Sequence, residues 1–337
     1  MEHLIIPENY KSDLNLHDTQ IAIKTVKDFF QGLLAERLNL LRVTAPLFVA
    51  PESGLIDILN GVERPVAFGI KEQNERNAEI VHSLAKWKRY ALHRYGFNSG
   101  EGLYTDMNAI RRDEVTDNIH SIFVDQWDWE KIITREQRNV DTLKDTVKTV
   151  YKVLRKTEKY MAIKYDYIHE ILPHDIYFMT TQELEDMYPD LKTGSEREKA
   201  YVKEHKTACI MQIGRKLRSG KPHDGRAPDY DDWNLNCDIF FWDEGLDRAL
   251  EISSMGIRVD AESLDRQLTE SGCDDRRELP FHKMLLNDEL PLTIGGGIGQ
   301  SRLCMLMMGC CHIGEVQASV WDHATVEACE KAGIRLL

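Results

Sequence analysis

The chain has 337 residues, 42% of them hydrophobic and 29% charged, which is ordinary for a globular protein with a sizeable core. Its net charge of -13 gives no broad pull toward phosphate backbones or anionic membranes, so neither nucleic acid nor a membrane is an expected partner. The seven cysteines form no C-x-x-C pair and no zinc-ligand spacing, as expected of reduced thiols in a cytoplasmic protein.

Residues 1–18 read as a polar leader, charged throughout and without the apolar segment of a signal peptide. From Thr19, Ile23, Val26, Phe30 and Leu33 recur at helical spacing. Leu38–Phe48 with Pro46 reads as an edge strand or extended segment. Ser83 is placed to cap a helix whose apolar face is Leu84, Trp87, Ala91 and Tyr95. Ile122–Trp129 reads as a strand, and 141–162 as a helix on Leu143, Val147, Val150, Leu154 and Met161. Residues 190–236 are polar and turn-rich, and read as a mobile excursion. Cys237–Trp242 and Leu250–Val259 read as strands, and Gly295–Gly297 as a turn leading into a helix from Gln300 to Met308. Helices and strands mix without a βαβ rhythm, which predicts an α+β fold around an antiparallel sheet, with 19–337 as one domain.

Several clusters carry chemistry. In a strand, Gln126 and Asp128 share one face at roughly 6.5–7 Å, with Ile122 and Val124 behind them. An amide beside a carboxylate suits a small ligand's ammonium; the plainer reading is a solvated strand end, with Trp127 and Trp129 as the core face. Arg111-Arg112-Asp113-Glu114 suits a phosphate grip or is simply a solvated loop. Four glycines between Gly295 and Gly299, then Arg302 in a first helical turn, let backbone approach an anionic ligand, in a pattern that is neither a Walker loop nor a dinucleotide fingerprint. Asp238 and Glu251, on adjacent predicted strands, suit a hard cation such as Mg²⁺ or are exposed strand carboxylates. Arg226, in Gly225 to Trp233, sits where a loop closes over a nucleotide or merely turns.

These pieces stand in a recognisable order. His82 to Arg89, Gly100 to Thr105, His120 to Glu130, Arg226 to Trp233, Ser253 to Asp260 and Thr293 to Leu303 together resemble the ammonia-dependent asparagine synthetases, from about Thr19 onward. That resemblance implies a fold similar to the class II aminoacyl-tRNA synthetase catalytic domain, an antiparallel sheet flanked by helices, and a homodimer. It implies ATP as co-substrate with Mg²⁺, an aspartyl-adenylate, and release of AMP and pyrophosphate. Leu40 to Phe48 is similar to the class II dimer motif, Arg111 to Glu130 to motif 2, and Gly295 to Leu303 to motif 3.

Residue by residue, the resemblance puts Lys88 on the aspartate side-chain carboxylate, Asp128 on its ammonium and Gln126 beside the reacting carboxyl. Arg258 falls where relatives bind a carboxylate, and Ser254 in the pocket floor, where the synthetases commonly have glycine. Arg111 falls on the α-phosphate; the tRNA enzymes' spacing points instead to Arg112 and Glu114. Arg302 falls on the ATP phosphates, His82, Arg226, Asp231, Gly295 and Gly297 on the ATP side, and Asp238 and Glu251 on the metal. Making asparagine demands activation of the β-carboxylate, so aspartate lies reversed relative to the tRNA enzymes. Asp57 aligns with an aspartate not expected in those enzymes, which suits a general base for ammonium. Three rival readings are weaker. About 40 residues before the dimer motif are too few for an anticodon-binding barrel. A glutamine-dependent enzyme needs a nucleophile such as an N-terminal Cys, and position 2 is Glu2. A dead sensor would not keep the full set of charged groups.

Overall fold

The structure is a computed structural model that describes residues 3–59 and 63–337. The first helix, α1 (Leu16–Leu38), opens on Asn15, whose side chain accepts from Asp18 N, and ends on Asn39 in the left-handed conformation at φ 58°. It buries Ala22, Ile23, Val26, Phe30 and Leu34 on one stripe. Then follow β1 (Leu40–Arg42), β2 (Phe48–Val49), β3 (Ala67–Ile70), β4 (Arg76–Ile80), α2 (Ala85–Arg94), β5 (Gly102–Ile110) and β6 (Phe123–Ile132). The long α3 (Val140–Lys164) is capped by Asn139 and packs along α1, with Phe29 and Tyr160 stacked at 4.2 Å. Next come β7 (Tyr177–Thr180), α4 (Thr181–Met187), α5 (Gly194–His205), β8 (Thr207–Met211), β9 (Asp231–Asp243) and β10 (Arg248–Arg258). The chain closes with α6 (Ala261–Ser271), α7 (Pro280–Leu286), β11 (Thr293–Gly299), α8 (Gln300–Met308) and α9 (His323–Ala332).

Among the described residues, eight strands form one sheet in the order β1-β5-β6-β11-β10-β9-β8-β7. Its pairs are antiparallel except β1 with β5 and β7 with β8 at the two ends. A small sheet, β2-β4-β3, lies apart. One face of the large sheet packs on α1, α3 and α8 through Trp127, Trp129, Ile239, Phe241, Met255 and Ile257. Trp127 and Trp129 are both fully buried, and at about 25 cal/mol/Å² over 150–250 Å² each contributes at most roughly 4–6 kcal/mol. The other face carries polar side chains on its middle strands, flanked by apolar clusters around Leu103 and Met107 on one side and Ile210 and Phe240 on the other.

Two segments differ from the sequence-based expectation. Residues 190–236 are regular over about half their length: α5 starts with a capping box of Thr193 and Glu196, β8 is buried between β7 and β9, and the stretch between β8 and β9 is irregular. Ala208 and Ile210 face one apolar cluster and Cys209 and Met211 the other, so β8 shows no polar alternation to read. The glycines 295–297 are no turn. They lie within β11, paired to β6 and β10, with Gly295 opposite Glu130, Gly296 opposite Trp129 and Gly297 opposite Asp128. None has positive φ. They are glycines because side chains from β6 lie across the strand: a Cβ on Gly295 would stand 2.0 Å from Glu130 Oε2, and one on Gly297 2.5 Å from Gln126 Oε1.

The N-terminal segment is tied to the C-terminal part of the chain. Ile5 N donates to Asn118 Oδ1 at 2.7 Å, and Tyr10 Oη donates to Glu315 at 3.0 Å. Among the described residues no helix is long and apolar enough to cross a membrane.

Candidate active site

A cleft of about 330 Å³ opens on the polar face of the sheet over β6, β11, β10 and β9, within the range of small-molecule sites. It is lined by Lys88, Arg111, Gln126, Asp128, Arg226, Asp231, Asp238, Glu251, Ser254, Arg258, Gly297 and Arg302. All twelve were singled out in the sequence, and the fold brings them together from α2, β6, β9, β10, β11, α8 and the stretches before β6 and β9.

At one end the strand alternation of β6 does the positioning. With Trp127 and Trp129 in the core, Gln126, Asp128 and Glu130 turn to the opposite face. Lys88, on α2, is buried; its Nζ donates to Gly296 O at 3.0 Å and lies 3.4 Å from Asp128 Oδ1 and 3.9 Å from Glu130 Oε2. Burial pulls the Lys88 ammonium below its ordinary pKa, and Asp128 opposes that pull. Arg258 grips Glu130 through Nε and Nη2, at 2.8 Å for the shortest contact, and Asp231 through Nη1. Burial pushes the Glu130 carboxyl up, but Arg258 and Lys88 more than offset it and hold it low. Arg258 keeps one N–H on each terminal nitrogen for a ligand.

At the other end, a bulge between Glu251 and Ser253 shifts the parity of β10, so Glu251 and Ser254 both reach the cleft though three residues apart. Asp238 on β9 is register-paired with Ser254. Arg226 lies across both: Nη1 donates to Ser254 Oγ at 2.8 Å, and Nη2 to the Asp238 oxygens at 2.8 and 2.7 Å. Arg302 is held by Ile119 O at 3.2 Å and Glu251 O at 3.1 Å. Arg111 Nε is buried with no hydrogen-bond partner among the described residues. Burial, then the Asp238 charge, pushes the Glu251 carboxyl up to about 7. Among the described residues no cluster of three or more His, Cys, Asp or Glu side chains is poised for a metal. The hard-oxygen pair Asp238 and Glu251, both lining the cleft and close enough for the Asp238 charge to raise the Glu251 carboxyl, fits a cation whose remaining ligands come from phosphates.

Three residues singled out in the sequence stand behind the wall rather than on it. Gly295 underlies Glu130. His82 is fully buried, and burial followed by Arg111 lowers its pKa. Asp57 is fully buried behind Ser83 and Ala85, which line the cleft; Ser83 Oγ donates to Asp57 Oδ2 at 2.7 Å and Ala85 N at 2.8 Å. Ala85 N, the first amide of α2, is thus shared between the Asp57 carboxyl and, at 3.3 Å, Ser83 Oγ, while the N-cap position itself is Leu84. Burial pushes Asp57 up to about 6, with Lys86 at 3.8 Å and the Ser83 hydroxyl opposing. Lys86 itself joins Asp229 at 3.1 Å, and Asp229 also takes Arg276 and His282, each at 2.9 Å.

Sequence reasoning passed over Glu130 as a site group, although it continues the two-residue alternation of Gln126 and Asp128. It also passed over Ser83's bond to Asp57 and over Gln317, for which no local signal exists.

The chain matches the family model described as aspartate–ammonia ligase over residues 17–333. It is 60% identical over 336 residues to the aspartate–ammonia ligase of Clostridium tetani, covering 100% of this chain and 98% of that one. It is 60% identical over 337 residues to the aspartate–ammonia ligase of Clostridium perfringens (strain 13), covering 100% of each. Among solved structures it is similar to asparaginyl-tRNA synthetase from Pyrococcus horikoshii complexed with asparaginyl-adenylate, at a TM-score of 0.65 and 14% identity over 90% of this chain and 70% of that one. The fold is thus that of the class II aminoacyl-tRNA synthetases, as the resemblance implied, and the chain belongs to the aspartate–ammonia ligase family.

Proposed function

We propose that the chain makes asparagine from aspartate, ammonia and ATP through an aspartyl-adenylate, releasing AMP and pyrophosphate. The observation that carries this reading is one cleft with two unlike ends. Asp128, Gln126 and the buried Lys88 offer partners for an amino acid's ammonium and carboxylate. Arg111, Arg226 and Arg302 face the same space from the other end and suit phosphates. With the ammonium at Asp128, the β-carboxylate is turned toward Arg111, which offsets charge growing on the α-phosphate. Asp238 and Glu251 would hold Mg²⁺, which when bound supplies further charge stabilisation there. Binding it requires Arg226 to leave Asp238 for a phosphate. Gly297 lets the chain lie close beneath the ligand, and Asp231 holds Arg258 in place.

In the second step ammonium gives up a proton before attacking the anhydride. Ser83 Oγ faces the cleft while donating to Asp57, so Asp57 receives that proton through the hydroxyl. His82 and Gly295, behind the wall, support the ATP side and Glu130 respectively. In this proposal residues 19–337 act as one catalytic domain behind the 1–18 leader, in the cytoplasm, as a homodimer without nucleic acid or membrane partners. The exposed Leu41, Leu47, Phe48 and Phe68, around the dimer-like motif, support the homodimer.

Incubating the protein with ATP, Mg²⁺, aspartate and an ammonium salt is expected to yield asparagine with equimolar AMP and pyrophosphate. Stoichiometric ADP and phosphate would show an acyl-phosphate route and overturn the adenylate.

A further inference from the structure

Gln317 follows α8 and is buried against the cleft. Its Nε2 donates to Ser301 Oγ at 2.9 Å and to Asp125 Oδ1 at 3.3 Å. Ser301 Oγ has already given its one hydrogen to Asp125 Oδ1, at 2.6 Å. Both neighbours of the amide therefore only accept, and the amide nitrogen must face them, since a flipped amide would set oxygen against oxygen. The orientation leaves Gln317 Oε1 as a buried acceptor with no partner among the described residues. An orphaned buried acceptor is costly, so a partner is expected from outside the chain.

The surroundings say which part of a nucleotide this is. Phosphates carry no donor, and they belong with Arg111 and, through a cation, with Asp238 and Glu251. Beyond Asp125 and Ser301, the same cleft has an apolar lining that is bonded into one unit. Ile313 N donates to Asn118 O at 2.7 Å, Arg302 holds Ile119 O, and Ser319 is tied to Ser121, which accepts from Phe123 N at 3.3 Å. Ile119, Phe123 and Ile313 thus offer ring-sized apolar surface beside Arg302 and Gln317, all on the cleft.

We propose that Gln317 Oε1 accepts a hydrogen bond from the exocyclic 6-amino group of adenine, and so makes the site select a 6-amino purine over a 6-oxo or unsubstituted one. The proposal rests on the ATP reading above. Gln317 is then a specificity residue of the adenylation step and takes no part in aspartate binding or proton transfer.

The test is aspartate-dependent exchange of pyrophosphate into nucleotide, comparing ATP, purine riboside 5′-triphosphate, ITP and 2′-deoxy-ATP. The wild-type chain should use purine riboside triphosphate and ITP less well than ATP by roughly tenfold to hundredfold in kcat/KM. Gln317→Met should lower ATP to the level of purine riboside triphosphate while leaving that analogue, and the KM for aspartate, unchanged. Equal use of ATP and purine riboside triphosphate by the wild type overturns the proposal without any variant. So does a parallel loss of both in Gln317→Met, which marks a structural role, or a penalty confined to 2′-deoxy-ATP, which marks a ribose contact. Asparagine formation that needs no nucleotide at all would instead remove the ATP reading, and this one with it.

Discussion

The two ends of the cleft are built on opposite terms. At the amino-acid end, Lys88, Asp128, Glu130, Arg258 and Asp231 come from α2 and from strands, are buried, and hold one another. At the nucleotide end, Arg226 comes from the irregular stretch before β9 and is parked on the carboxylate that suits a metal, while Arg111 has an unsatisfied Nε. The first end is organised before substrate arrives. On the proposed function, the second exchanges partners when nucleotide comes in. Preorganisation of this kind suits a small zwitterion that offers few contacts, while triphosphate charge is strong enough to drive a rearrangement.

Four substitutions break or sharpen that contrast. Arg258→Ala strands Glu130 and Asp231 in the interior and should cost about 3–5 kcal/mol of stability in a denaturant titration; a near-native midpoint would mean that this end is not a rigid, interlocked unit. Lys88→Ala should cost roughly 2–5 kcal/mol in kcat/KM for aspartate, with the KM for ATP unaffected; normal turnover would mislocate the aspartate. Arg226→Ala is the counterpart at the other end. It should leave folding intact and weaken ATP binding, read as a raised KM, by about 1.5–3 kcal/mol, the value of a charged hydrogen bond, while freeing Asp238 so that half-saturation with Mg²⁺ comes at lower concentration. A weaker Mg²⁺ response would show that Arg226 supports the metal rather than competing with it.

The smallest effect is one of pH. The Asp57 carboxyl is raised from its ordinary 3.8 to about 6, so the folded chain keeps that proton where the unfolded chain has lost it. On this account stability falls as pH rises from about 4 to about 6, and Asp57→Asn should remove that part of the slope, read as the difference between the two stability profiles. If Asp57 receives the ammonium proton, asparagine formation in the wild type climbs through the same window. Asp57→Asn then retains pyrophosphate exchange and forms asparagine slowly at every pH. Equal loss of both activities would place Asp57 in folding or aspartate binding.

Much of this was legible in the chain. The helical stripes of α1 and α3 and the two-residue alternation of β6 are periodicities that burial alone dictates, and they gave elements and one wall of the site. The grouping of Arg111, Asp238, Glu251 and Arg302 came from the order of motifs, not from any local pattern. What could not be read had physical causes. Consecutive glycines look alike in a turn and in a strand crossed by large side chains, and only the position of Glu130 and Gln126 decides between them. A strand buried on both faces, such as β8, has no alternation. The burial of Asp57, and its grip on a helix that begins 28 residues later, is purely tertiary.

That grip sets a distance. Two consecutive amides at the start of α2 hold carboxylates from different parts of the chain, Leu84 N taking Asp128 Oδ2 at 3.0 Å and Ala85 N taking Asp57 Oδ2 at 2.8 Å. Neighbouring Cα atoms across a trans peptide are about 3.8 Å apart whatever the surroundings do. A single peptide unit therefore acts as a ruler between the acid assigned to ammonia and the acid assigned to the amino acid's ammonium. Loops can lengthen and domains can breathe without altering the gap between the two half-reactions, whereas proline at position 84, which has no N–H to give, would erase one of the ruler's marks.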